Sequence, residues 1–243
     1  MKERPGRTPR FYVDARLREG ALIELPDPAA HHALRVLRIR QGDELILFDG
    51  NGGEWPCVLT SDESVQVGAW RNVERESPLR VTLAQGVSAG ERMDLTVQKA
   101  VELGVATIQP LLTERSVVRL QGARLAARVE HWRKIAISAC EQCGRNRVPE
   151  VRRASDVETY CRSQGDAKPR LLLSPAGVKS LREIKLDATA TLAAGPEAGF
   201  SEKEEEALQR AGFMPVRLGP RVLRTETAAL AALAALNTLG GDF

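Results

Sequence analysis

The spacing of hydrophobic positions along the 243-residue chain changes near residue 79. Before that point, short β-type runs at 21–25, 44–48, 54–60 and 64–69 are separated by turn residues, which predicts a small, mostly β unit. Between two of these runs, Asp49-Gly50-Asn51-Gly52-Gly53 reads as a hairpin, because Gly and Asn tolerate the positive φ of tight turns. Residues 28–40 read as the one helix of this unit, with Ala30, Leu34 and Leu37 on one stripe. A charged, proline-containing stretch at 74–78 breaks the pattern, so the expected domains are 1–73 and 79–243 with 74–78 as linker.

After residue 79 strands and helices alternate. Strand 81–86 is followed by helix 91–103, whose Met93, Val97, Ala100 and Val101 share a face and which closes at Gly104. Strand 105–112 precedes a long helix, 123–143, with Leu125, Val129, Trp132, Ala136 and Ala139 at helical spacing. Buried strands are expected at 171–174 and 189–194, and a short one at 216–218. Ser201 and Glu204 form a capping box that opens a helix to 211, and an alanine-rich helix runs from 225 to 239. This order predicts an α/β domain with a mostly parallel sheet covered on both faces.

Composition narrows the partners. No apolar run approaches the roughly 20 residues that cross a bilayer, which excludes a membrane-spanning helix and makes the cytoplasm the expected location. Four cysteines are too few for a disulfide framework, and Cys140-x-x-Cys143 stands without a second pair, so no metal is expected. The net charge of +3 is unevenly placed, with nine Lys/Arg against five Asp/Glu in residues 1–40 and ten against three in 115–153. Arginine outnumbers lysine 28 to 7, which suits bidentate phosphate contact and makes nucleic acid a candidate partner, although a high-GC genome that encodes Arg wherever a cation will do would give the same bias.

The candidate chemistry lies in two Gly-Pro loops. Gly195-Pro196-Glu197 and Gly219-Pro220-Arg221 each follow an apolar strand and precede a helix, where open α/β sheets bind ligands. Neither loop fits a dinucleotide or Walker sequence. His31, His32 and His131 read as surface or packing residues.

Residues 141–149 (Glu-Gln-Cys-Gly-Arg-Asn-Arg-Val-Pro), Gly195-Pro196-Glu197 and residues 218–228 (Leu-Gly-Pro-Arg-Val-Leu-Arg-Thr-Glu-Thr-Ala) resemble those of the ribosomal RNA small subunit methyltransferase E family. Phe48-Asp49-Gly50, residues 98–104 and residues 110–115 support the resemblance, which covers nearly the whole chain in order. It implies a PUA-like β-barrel for RNA followed by a SPOUT-type α/β domain with a C-terminal trefoil knot. It also implies S-adenosyl-L-methionine as cofactor and methylation of N3 of a uridine in the decoding region of 16S ribosomal RNA; a homodimer is expected from the apolar surface of the last helix. The substrate would be 16S ribosomal RNA or the small ribosomal subunit; a SPOUT enzyme acting on transfer RNA and a non-catalytic RNA-binding protein are the alternatives.

Onto this chain the resemblance carries a cofactor set of Ala194, Gly195, Pro196, Glu197, Gly199, Leu218, Gly219, Arg221, Val222, Leu223, Thr225, Thr227 and Ala228. Arg224 is expected to stabilise the deprotonated uracil. Glu226 is expected to be the base, or to orient that arginine, or only to cap the last helix. Arg7, Arg10, Arg35 and Arg38, with the loop Arg145, Asn146 and Arg147, are expected to meet RNA, the loop being alternatively a solvated helix end. The family usually carries glycine where this chain has Ala198, which questions any positive φ there. The leucines of the last helix, Leu230, Leu233, Leu236 and Leu239, are expected to cover a dimer partner or to serve as internal core.

Overall fold

A computed structural model of the chain describes residues 8–61, 63–163 and 167–243. It divides into two units, Met1–Glu76 with Cys140–Val148, and Ser77–Ala139 with Pro149–Phe243.

In the first unit, β1 (Arg10–Tyr12), β2 (Leu22–Glu24), α1 (Asp27–His31), β3 (Glu44–Phe48), β4 (Trp55–Leu59) and β5 (Ser64–Val67) follow in order. The strands form a sheet in the order β1-β3-β4-β5-β2, antiparallel except for β1 beside β3. Alternation along the strands puts Leu45, Leu47, Cys57, Leu59, Val65 and Val67 into one core with Phe11 and Val13.

The single helix expected over 28–40 is shorter and of two kinds: α1 runs into a π-helical turn, His32–Val36. Its wider turn closes with Leu37 N–H donating to His32 O, and the chain leaves through Arg38 at φ 56°. The buried stripe is therefore Ala29, Ala30 and Ala33, with Ile39 following into the core, while Leu37 is left exposed.

The expected boundary at 74–78 also changes. Residues 144–147 are stitched into the first unit by polar contacts that no hydrophobic period reveals. Arg10 of β1 donates to Glu54 Oε2 at 2.7 Å and also to Asn146 Oδ1, while Asn146 Nδ2 donates to Val73 O. Arg75 reaches Gly144 O at 2.9 Å, Arg147 pairs with Glu74 at 3.0 Å, and Arg145 pairs with Glu76. Glu74, Arg75 and Glu76 thus belong to this unit rather than to a free linker.

The second unit carries β6 (Arg80–Gly86), α2 (Glu91–Glu102), β7 (Thr107–Leu112), β8 (Glu150–Val151), β9 (Ser155–Asp156), α4 (Val157–Arg162), β10 (Arg170–Leu173), β11 (Lys179–Ser180), β12 (Thr189–Ala194), α5 (Glu202–Arg210), β13 (Met214–Arg217) and α6 (Thr225–Gly240). The long helix α3 (Gly122–Cys143) begins here, and its last turn is counted with the first unit. The sheet runs β11-β13-β10-β12-β6-β7-β8, with β9 also on β7, and every pairing is parallel. A sheet buried on both faces needs nearly continuous apolar runs, and β12 (Thr-Ala-Thr-Leu-Ala-Ala) is buried at five of its six positions. Ala84, Leu111, Leu172 and Ala193 face Val157 and Tyr160 of α4 and Leu208 of α5. On the opposite face α6 packs against β6, β12 and α2. Leu233 and Leu236 are fully buried in this chain, which assigns them to its own core; Leu239 is 46% exposed.

Candidate functional site

The carboxyl ends of β10, β12 and β13 open into a cavity of about 590 Å³ within the second unit. Its floor is the end of each strand, Leu173, Ala194 and Val216, and its walls are the loops that follow. Strand ends leave backbone groups unpaired by the sheet, so small or apolar residues here let a ligand approach the main chain.

The Gly195 loop is held from two sides. Gln85, fully buried at the end of β6, donates through Nε2 to Gly195 O at 3.3 Å and to Thr225 Oγ1 at 3.1 Å. Thr225 Oγ1 in turn donates to Gly195 O, tying the first turn of α6 to the same carbonyl. Gly86 is required beneath this loop, because a Cβ there would lie 2.5 Å from the backbone nitrogen of Pro196. Within the loop the positive φ, +69°, falls on Gly199, and among the described residues Arg38 is the sole non-glycine with φ above zero. Ala198 therefore fits without strain.

Glu197 lines the cavity, but its carboxylate accepts from Ala89 N–H and from Arg92 Nη1, both at 2.9 Å. Partial burial works against its charge, yet the backbone donors and Arg92 outweigh that and hold its carboxyl below the usual range. Its carboxylate thus anchors the Gly195 loop to the start of α2.

The second Gly-Pro loop supplies Leu218, Gly219, Arg221, Val222 and Leu223. Gly219 has φ +103°, and a Cβ there would meet nothing within 4 Å, so any side chain would project into open space beside the cavity. Arg224 is the N-cap residue of α6, and Arg224, Thr225, Glu226 and Ala228 all line the cavity. Glu226 keeps Oε2 buried without a hydrogen-bond partner among the described residues. Such an orphaned acceptor beside a cavity is suited to a ligand's positive charge or to a proton.

Of the cofactor residues expected from sequence, the structure brings together all but Thr227. In a helix that position is turned about 200° from Thr225, and Thr227 is exposed outside the cavity. Three expected RNA contacts are also corrected. Arg10, Arg145 and Asn146 are 6%, 4% and 0% exposed and are engaged with Glu54, Glu76 and Val73, so they face inward rather than toward a phosphate. Arg147 is exposed but paired with Glu74. Arg35 and Arg38 are exposed on the π-helical turn and its exit. Arg7 lies outside the described residues.

Sequence reasoning missed Arg92 and the β10 loop, Leu173-Ser174-Pro175. The signal for the loop was present in Ser174-Pro175-Ala176-Gly177, a turn following an apolar strand; Gly177 runs so close to Val216 that a Cβ would lie 2.6 Å from its carbonyl carbon.

Among the described residues no group of three or more His, Cys, Asp or Glu could hold a metal, and no helix is long and apolar enough to cross a membrane. Burial pushes the Cys57 thiol up to about 11 and the Cys140 thiol up to about 12, so neither is a thiolate nucleophile at neutral pH. His131 is held by Asp94 at 2.8 Å, and His32 packs edge-on against Phe11.

Comparison with known proteins matches residues 75–237 to a family described as RNA methyltransferase domain and residues 25–68 to an RNA methyltransferase PUA domain. The ribosomal RNA small subunit methyltransferase E of Buchnera aphidicola (subsp. Acyrthosiphon pisum) is 34% identical over 97% of this chain and 95% of its own. Its namesake from Bacillus subtilis is 30% identical over 94% and 95%. Among solved structures, a Legionella pneumophila methyltransferase in complex with the cofactor SAM is 41% identical, covers 98% of this chain and 100% of its own, and has a TM-score of 0.93. A ribosomal RNA small subunit methyltransferase E from Neisseria gonorrhoeae, bound to S-adenosyl methionine, is 40% identical with the same coverage and a TM-score of 0.90.

Proposed function

Because the chain belongs to the ribosomal RNA small subunit methyltransferase E family, we propose that it is an S-adenosylmethionine-dependent methyltransferase acting on N3 of a uridine in the decoding region of 16S ribosomal RNA. The observation that carries this reading is the convergence of both Gly-Pro loops and the start of α6 on one cavity at the carboxyl end of the parallel sheet. The fold is a PUA-like unit followed by a SPOUT methyltransferase domain. A trefoil knot through the loops of this cavity and a homodimer are part of the reading, with Leu239 and the neighbouring Phe243, 59% exposed, available to a partner.

The residues present fit the cofactor. Ala194, Gly195, Pro196, Gly199, Leu218, Gly219 and Leu223 would hold an adenosine through backbone and apolar contact, with Arg221, Val222, Thr225 and Ala228 completing the wall. When bound, the cofactor supplies a methyl group on a sulfonium, which departs as a neutral thioether. The chain must remove the uracil N3 proton as the new N–C bond forms. Glu226, with its unpartnered buried oxygen, accepts that proton, and Arg224 balances the charge that develops on the two uracil oxygens.

Replacing Gly219 with Val puts a branched side chain at φ +103° beside the cavity. Calorimetry is expected to show S-adenosylmethionine binding abolished with the unfolding transition retained; unchanged binding would place the cofactor elsewhere.

RNA positioning falls to the exposed arginines of the first unit. Loss of Arg35 or Arg38 is expected to weaken RNA binding and to reduce the slope of log affinity against log salt by roughly one per phosphate contact. Filter binding at several salt concentrations measures this, and a slope unchanged in the double variant would remove these residues from the interface.

A further inference from the structure

A second cavity of about 590 Å³ lies within the same unit, between α2, α3 and the start of α6. It shares Arg92, Arg224 and Glu226 with the first cavity, so the two adjoin at the residues proposed for the chemistry. We infer that this second cavity receives the substrate base itself: a neutral pyrimidine bearing an N–H between two carbonyl groups, taken out of its stack. The inference rests on the methyltransferase reading and names the part of the substrate that this side of the site takes.

Charge argues for a base rather than a phosphate. Glu91, Asp94 and Glu226 face two arginines in this cavity, and Arg92 is already held by Glu197. With Arg128 paired to Asp94 at 3.2 Å, carboxylates and guanidiniums here balance, so a polyanionic backbone meets no net positive charge, whereas a neutral ring needs none. Asp94 is also occupied, accepting from Arg128, His131 and Trp132. Gln98 on α2 and Ser138 on α3, both exposed, are then the neutral polar groups positioned to read carbonyl oxygens, and Leu95 and Ile135 provide apolar walls for a ring face.

The reaction asks for the same geometry. N3 of uracil lies on the pairing edge, so it cannot be methylated while paired, and an extruded base needs a pocket beside the methyl donor. A base seated between Gln98 and Ser138 has Arg224 and Glu226 between itself and the first cavity. Gln98 is thereby a specificity-determining residue.

The test uses the full chain, 16S ribosomal RNA and S-adenosylmethionine. Ser138→Trp, at an exposed helical position that lines the second cavity and not the first, places a bulky ring in the second. Single-turnover methylation with both substrates saturating is expected to fall on the order of 100-fold, since small displacements of a reacting group cost that much, while cofactor affinity stays within about twofold of wild type. Gln98→Ala is expected to slow the same step by roughly tenfold to 100-fold, the scale of one lost base contact, with cofactor affinity and unfolding midpoint unchanged. Wild-type rates in both variants, in an enzyme that otherwise binds cofactor and methylates the RNA, would overturn the assignment of this cavity alone. Failure of the wild-type chain to bind S-adenosylmethionine or to methylate the RNA would overturn the functional reading and this inference with it.

Discussion

Arg224→Ala is expected to lower the single-turnover methylation rate by roughly 10²–10³-fold, the scale of losing one donor aimed at developing charge. The residue is placed for this and for little else. It is the N-cap of α6, yet its side chain caps nothing, and it lines both cavities at the point where they meet. The charge it balances exists only after the N3 proton begins to leave, so the loss should fall on the rate and leave ground-state binding almost intact. Calorimetry with S-adenosylmethionine and filter binding with RNA should return wild-type affinities. Arg224→Lys keeps a cation but not the planar fork, and an intermediate rate is expected. A parallel loss of cofactor affinity in Arg224→Ala would instead make Arg224 a binding residue.

The second large effect is expected on stability, in the first unit. Arg10 and Glu54 form a pair at 2.7 Å whose side chains are 2% and 6% exposed, and Asn146 and Arg75 add further contacts. Glu54→Ala leaves the Arg10 guanidinium buried without its counter-ion, at an expected cost of about 3–5 kcal/mol in chemical denaturation. Arg10→Met combined with Glu54→Leu should recover much of that cost, because no charge is then left behind. Burial of Glu54 disfavours its charged form, but Arg10, Asn146 and Arg75 outweigh burial and hold the carboxyl below its usual range. A depressed carboxyl gives stability that is complete above the ordinary glutamate range and is lost as pH falls through the folded value. The wild-type chain should therefore lose an acid-sensitive component that Glu54→Gln lacks. Superimposable pH profiles would show that the pair contributes nothing through titration.

What could be read from the sequence follows from which physical signals are local. The period of apolar residues located β12 to the residue, and a capping box placed the start of α5. Both signals are complete within a dozen residues. The Gly-Pro loops were legible for the same reason, since each sits where an apolar run ends. The partners of Arg10 were not legible, because Asn146 is 136 residues away and nothing in either neighbourhood distinguishes a buried arginine from a solvated one. The same blindness assigned Arg145 and Asn146 to RNA. Thr227 was included because it sits in a continuous motif, whereas helical geometry selects Thr225, Glu226 and Ala228 and turns Thr227 away. The π-helical turn escaped because a shift from i+4 to i+5 bonding changes the buried stripe without changing composition. Arg92 entered both cavities through tertiary folding alone.

The most direct test of the account is mass spectrometry of 16S ribosomal RNA from cells lacking this chain, compared with the same cells carrying it or its Arg224→Ala variant. The expected result is loss of one N3-methyluridine in the decoding region, restored by the wild-type chain and not by the variant. An unchanged set of methylated uridines in the cells lacking the chain would contradict the assignment of this protein as the methyltransferase for that site.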